Sequence, residues 1–352
     1  MVHQCGADDL TACLADAIEA ACQSQTVIVI RRLDTSGSLD DAADDATAAP
    51  PARRPPSLRV LPAVLPESEA VELPFLGLDT LWLQLTGTRC NIACRHCFIT
   101  CGPKEDRVPM MTRARVEELL VEARDLGVKE FYFTGGEPML HPDFFAIIER
   151  TLQEGPVNIL TNGTLIDAAA AARFAELGRA TRYSLELRVS LDGMTAEQND
   201  PVRGRGTFAA IVAGLAELAR VGLSPVITVV EHQPGMADAA ARQEFLAFAR
   251  QLGLGHPRVK FLPLLRLGRE PRRTRAYAAD ELVGAPLAEA ELASLQCSSS
   301  RLATQEHVLS CPLLLDAPEA RLGTTLAAAA RPIRLRWSAC HTCVTEGLSC
   351  RT

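Results

Sequence analysis

Three cysteines fall within eight residues, in the run Cys90-Asn-Ile-Ala-Cys94-Arg-His-Cys97. Gaps of three and two let one loop turn three thiolates toward a single point, as a multinuclear iron–sulfur cluster requires, with one metal position left open. A zinc knuckle made of these cysteines and His96 satisfies the same spacing, because zinc also accepts tetrahedral sulfur and nitrogen sites. Just upstream, Leu81-Trp-Leu-Gln-Leu85 alternates apolar residues and reads as a strand. The thiols therefore sit where a strand ends, the end at which α/β barrels build their sites.

The chain downstream repeats that grammar. Val116, Leu119, Leu120, Ala123 and Leu126 recur at helical spacing, with Thr112 placed to cap the start and Gly127 to end it. Expected strands follow at Phe131–Thr134, Val157–Thr161, Tyr183–Leu191, Pro225–Val230 and Val259–Leu264, separated by helical patterns at Phe144–Leu152, to Leu177, at Thr207–Val221 and at Asp238–Leu252. With the first strand this makes six strand-then-helix units, the sixth helix weakly marked. Such alternation means a parallel sheet with right-handed crossovers, and six units fit a partial (β/α)6 TIM-type barrel. The expected fold class is therefore α/β, with a small C-terminal domain after it.

The triplet, with Phe98 directly after it, resembles the signature of the radical S-adenosylmethionine (SAM) superfamily, and the resemblance covers roughly Leu81 to Arg269. It implies a [4Fe-4S] cluster on Cys90, Cys94 and Cys97. The fourth iron of that cluster is chelated by SAM, which one electron splits to a 5′-deoxyadenosyl radical. Gly135-Gly136-Glu137 resembles the family motif that takes the methionyl ammonium, and glycines there let backbone approach a ligand. Ser190 and Asp192 resemble ribose-contacting positions, although an Asp-Gly turn accounts for Asp192 as well. Arg203 resembles the arginine that pairs with the SAM carboxylate, for which a forked guanidinium is suited. Asn162 points into the same mouth and can touch SAM or substrate, or form an ordinary Asn-Gly loop. Arg266 and Arg269 resemble a Gly-Arg closure of the sixth strand.

Beyond Arg273 the barrel rhythm stops, and cysteines remain at 297, 311, 340, 343 and 350. The spacing of Cys297, Cys311, Cys340 and Cys343 looks like the twitch form of a SPASM-like domain, which implies one auxiliary [4Fe-4S] cluster closed by four thiolates, with Cys350 as a spare or substitute ligand. A zinc ribbon holding the tail is the plainer alternative. Cys101, Glu231 and His232 are the candidate catalytic groups: a thiol four residues past Cys97, and a titratable pair after the fifth strand. A loop cysteine and a solvated strand end explain them equally.

Domain boundaries are expected at 1–32 (a helix-strand unit carrying Cys5, Cys13 and Cys22), 33–65 (a linker rich in Asp, Ala, Ser and Pro), 73–273 (the barrel) and 274–352 (the cluster tail). A net charge of −7 and the lack of a basic block argue against a nucleic-acid surface. No apolar run suits a membrane span and no signal pattern precedes the chain, so a cytoplasmic location is expected. There, twelve cysteines favour metal ligation over disulfides. The expected activity is a radical SAM oxidoreductase that takes hydrogen from a small molecule or peptide, with the auxiliary cluster accepting the remaining electron. It would be supplied by a low-potential donor such as flavodoxin or ferredoxin. A maturase of a ribosomally made peptide is the neighbouring reading, and a non-catalytic iron–sulfur or zinc protein the distant one.

Overall fold

Alternating apolar residues and well-placed caps build a strand-helix series. The protein, here a computed structural model, is described over residues 62–283, 287–345 and 347. The expected N-terminal helix and strand, Cys5, Cys13, Cys22, most of the linker and Cys350 lie outside the described residues. Strand β1 (Val71–Leu73) precedes β2 (Thr80–Gln84), whose loop carries the cysteine triplet into helix α1 (Arg113–Asp125). Thr112 Oγ1 caps α1 by accepting from Arg115 N at 3.2 Å, and Gly127 leaves it at φ +72°, a left-handed turn that glycine adopts without strain. The units continue as β3 (Glu130–Thr134), α2 (Phe144–Thr151), β4 (Val157–Thr161), α3 (Ala168–Ala180) and β5 (Leu185–Ser190). Then come α4 (Ala196–Arg203), α5 (Thr207–Arg220), β6 (Val226–Glu231), α6 (Ala239–Gln251) and β7 (Arg258–Pro263).

Strands β2 to β7 pair in sequence order and in parallel, which makes the expected partial barrel. One face of the strands, with Leu81, Leu83, Phe131, Phe133, Ile159, Val189 and Ile227, packs against the helices. Each such side chain contributes about 2 kcal/mol by leaving water. The other face holds Trp82 stacked on Tyr132 at 4.4 Å between ring centres. The period-two pleat divides these two sets.

Several expectations need correction. Tyr183, Ser184 and Leu191 lie outside β5. Helix α4 was not expected, because Pro201 inside it breaks the usual pattern. The tail does not leave the barrel. After α7 (Glu289–Ser294), strand β8 (Ser300–Ala303) joins the sheet parallel to β2, followed by antiparallel β9 (Val308–Leu309) and β10 (Arg321–Gly323). Helix α8 (Leu326–Ala329), β11 (Ile333–Leu335) and α9 (Ala339–Thr345) complete it. The last residues of the expected linker are also ordered: Leu65 N donates to Arg336 O at 2.7 Å and Ser338 N to Ala63 O at 2.9 Å. With β1 paired antiparallel to β11, residues 63–73 line the tail rather than introduce the barrel.

Candidate functional site

The cysteine loop is braced from three sides. After β3, a side chain on Gly136 would run into the Arg89 carbonyl and come within 2.7 Å of Cys90 N, and Glu137 N donates to Arg89 O at 3.0 Å. The glycine pair thus lets the β3 loop press directly against the cysteine loop. After β7, Gly268 turns at φ +61° with its Cα facing the Cys97 and Phe98 carbonyls, where a β-carbon would sit 2.5 Å away. Arg269 then donates from Nη1 to Cys94 O at 3.1 Å, from Nη2 to Cys101 O at 2.6 Å, and from its amide to Cys97 O at 3.1 Å. On the tail side, Arg107 bonds the Ile99 and Thr100 carbonyls and pairs with Asp316 at 2.8 Å. Arg269 is therefore a clamp on the loop, while Arg266 pairs at 2.6 Å with Glu281, which also lies 4.0 Å from His341 of α9.

The acids expected to meet SAM are already engaged. Glu137 is fully buried and accepts from Met139 N at 3.1 Å, Thr161 Oγ1 at 2.8 Å and Asn162 N at 2.7 Å. Burial raises its carboxyl to about 7 against those three bonds. Asp192, also fully buried, lies 2.7 Å from Arg203 Nε and 3.0 Å from His96 Nε2, and accepts from Val230 N at 2.8 Å. Burial alone would raise Asp192, but Arg203, His96 and that amide hold it well below the usual carboxylate range. Asp192 and Arg203, expected at the ribose and at the SAM carboxylate, thus lie against each other. They form a buried ion pair that fixes α4 and His96 beside Cys94. Ser190 stands half-buried at the end of β5, in register with Thr228 of β6.

Asn162 reaches the cluster loop itself, with Nδ2 2.8 Å from Asn91 Oδ1 and 3.7 Å from Cys90 Sγ. Asn91, which was not singled out in the sequence, bonds Thr164 Oγ1 at 2.8 Å and so ties the loop to the end of β4. Glu231 ends β6 half-buried, and the His232 ring turns back to Val230 O at 3.1 Å. Cys101 is buried, and its amide donates to Cys97 Sγ at 3.2 Å. Hydrogen bonds from the Cys101 thiol and amide lower the Cys97 thiol, while burial pushes Cys90 up to about 12 and Cys94 up to about 11. Thiolates gathered in so dry a place need a cationic centre among them, which is the chemistry of an iron–sulfur donor set.

The tail assembles a second sulfur group. Cys297, Cys311, Cys340 and Cys343 all border one cavity whose other walls are mostly apolar. Burial pushes the Cys297 thiol up to about 11 and Cys340 above the usual thiol range. Cys297 precedes β8, Cys311 follows β9, and the pair at 340 and 343 sits on α9. Among the described residues, no three His, Cys, Asp or Glu side chains are arranged to hold one metal ion. The four thiols ring a space instead of closing on a point, a donor set that fits a multinuclear group.

Residues 85–236 match the model of the Radical SAM superfamily. Mycofactocin maturase MftC of Mycobacterium ulcerans is 35% identical over 184 residues, 50% of this chain and 46% of that protein. A probable GTP 3′,8-cyclase of Halobacterium salinarum is 32% identical over 200 residues, 51% of this chain and 54% of that protein. The chain thus spans about half the length of these curated relatives. Streptococcus suis SuiB bound to precursor peptide SuiA has a TM-score of 0.53 at 15% identity, covering 72% of this chain and 63% of that one, a likeness of fold.

Proposed function

We infer that this chain, which carries a radical SAM domain over residues 85–236, is a radical SAM enzyme that modifies a peptide. When bound, the [4Fe-4S] cluster and SAM supply a 5′-deoxyadenosyl radical able to take hydrogen from an unactivated carbon. Cys90, Cys94 and Cys97 hold that cluster. Gly135 and Gly136 bring the β3 loop close enough for its backbone to meet the methionyl end, and Ser190 faces the ribose from β5. Glu137 bonds the end of β4, and Asp192 bonds Val230 of β6, His96 and Arg203 of α4, so these groups keep the loops in place. Arg269 immobilises the carbonyls of the cysteine loop, so that the thiolates present one fixed geometry.

The single observation that carries this reading is the placement of the Gly136 backbone against Cys90, which joins the two motifs across separate strands. The SuiB complex with its precursor peptide supports a peptide substrate, and the maturase name of MftC supports a modifying activity; the cyclase relative favours a small molecule as the second reading. The cavity bounded by four cysteines supports an auxiliary [4Fe-4S] cluster that accepts the substrate electron, and the single-electron chemistry calls for a low-potential donor such as flavodoxin or ferredoxin. Anaerobically reconstituted protein given SAM and a reductant is expected to release 5′-deoxyadenosine, and Cys94→Ala to release none. Zinc in place of iron, or an undiminished Cys94→Ala variant, would overturn it.

A further inference from the structure

The tail cavity is bordered by two polar groups that no described residue satisfies. Trp337, 3% exposed, and Ser310, fully buried, border it together with the four cysteines. Trp337 Nε1 and Ser310 Oγ are both shut off from solvent, and neither has a hydrogen-bond partner among the described residues. Their main chains are ordinarily bonded: Ser310 N donates to Ala320 O at 3.0 Å, and Trp337 O accepts from Cys340 N at 2.9 Å. Only the side-chain donors are left over. Buried donors without acceptors are costly and rare in native proteins. Two of them on the wall of one sulfur-lined cavity mean that the acceptor is what the cavity holds.

A third group points the same way. Arg301 on β8 is 1% exposed, and its guanidinium bonds only neutral carbonyls, those of Cys297 and Ser300 at 2.7 Å, Arg331 at 2.7 Å and Ala329 at 2.9 Å. No carboxylate within ion-pair distance balances it among the described residues, and its Nη1 lies on the main chain of Cys297. A buried cation of this kind is tolerable beside an anionic centre.

We propose that Ser310 and Trp337 are positioning residues that donate hydrogen bonds to the sulfur atoms of an anionic iron–sulfur group held by Cys297, Cys311, Cys340 and Cys343, with Arg301 as its buried counter-charge. The inference rests on the second-cluster reading above and adds what that reading lacks, a reason for the polar groups and a sign for their effect. Hydrogen bonds to sulfur favour the more negative, reduced state of a cluster, so they raise its potential.

The test is a redox titration of reconstituted full-length protein followed by electron paramagnetic resonance, with and without SAM. Only the first cluster's signal responds to SAM, so the unresponsive signal belongs to the tail. Trp337→Phe and Ser310→Ala are expected to retain the parent's iron content while moving the tail midpoint to lower potential, and Ser310→Thr to restore it. In cluster-free protein the same two variants should melt no lower than the parent, because each removes an unsatisfied donor. After loading they should gain less stability than the parent does. A parent that loads two clusters while neither variant shifts the midpoint sinks this inference alone. A parent that loads only one sinks the second-cluster reading and this inference with it.

Discussion

The two cysteine regions are built by opposite means. The first gathers its thiols from one eight-residue run and uses the rest of the barrel to hold that run still: Gly136 from β3, Asn162 from β4, Asp192 from β5 and Arg269 after β7. The second gathers its thiols from three distant segments, and residues 63–73 are laid along it as a strap. In the first, Glu137, Asn162, Asp192 and Arg269 are bonded to the loops around them, while His96 Nδ1 and Thr100 Oγ1 have no partner among the described residues. In the second, Ser310 Oγ and Trp337 Nε1 are left for the occupant. A loop that must leave one metal position open has to be rigid before its cofactor arrives, whereas a closed four-thiolate site can rely on the bound group to complete it.

The sharpest way to break this contrast is Gly136→Ala. The added carbon collides with the Arg89 carbonyl, so the first cluster and 5′-deoxyadenosine formation should be lost while the tail cluster stays. Iron analysis would then fall from about eight to about four per chain. Loss of both clusters together would show that the two regions are not assembled independently. Next comes Asp192→Asn, which strands Arg203 in a buried site and should cost about 3 kcal/mol in denaturant unfolding of the cluster-free protein. Asp192 is held below the usual range, so its contribution is complete above the unfolded value of about 3.9 and fades only as pH falls toward the folded one. The penalty should therefore be level from about pH 5 to 8, and a penalty already gone at the acid end of that window would break the assignment.

Arg269→Met removes the two guanidinium bonds to the Cys94 and Cys101 carbonyls and should cost about 2 kcal/mol in the same assay. It should also slow cluster loading at the first site more than at the second. Equal slowing would mean that the clamp serves the whole fold. The smallest effect is expected of Cys101→Ala, at most about 1 kcal/mol, with iron and 5′-deoxyadenosine unchanged, because the main-chain bond to Cys97 Sγ survives the loss of the thiol's bond. If iron stays and 5′-deoxyadenosine fails, Cys101 takes part in the chemistry after all.

Much of the barrel was legible because its signals are local. Thr112 caps its helix as the spacing predicts, the helix expected from Asp238 begins there with Asp238 as its cap, and the strand at Val157–Thr161 appears with the boundaries read from its apolar run. Cys297, Cys311, Cys340 and Cys343, grouped in the sequence by a family resemblance, border one space. What escaped reading depends on partners far along the chain. The Gly-Arg after β7 is a familiar dipeptide, but nothing local says that its guanidinium grips Cys94 O and Cys101 O, some 175 and 168 positions back. Likewise, Asp192 and Glu137 look free in sequence and are buried among donors in the fold.

The sequence by itself determined the strand-helix order and the caps that bound the helices, because covalent spacing and side-chain periodicity act within a few residues. Only the tertiary structure decided which acids remain available, that the tail extends the barrel sheet through β8, and that Trp337 and Ser310, each with an unpartnered buried donor, border the cavity of the second thiols. Those outcomes turn on burial and on hydrogen bonds between segments separated by most of the chain, and no run of neighbouring residues encodes them.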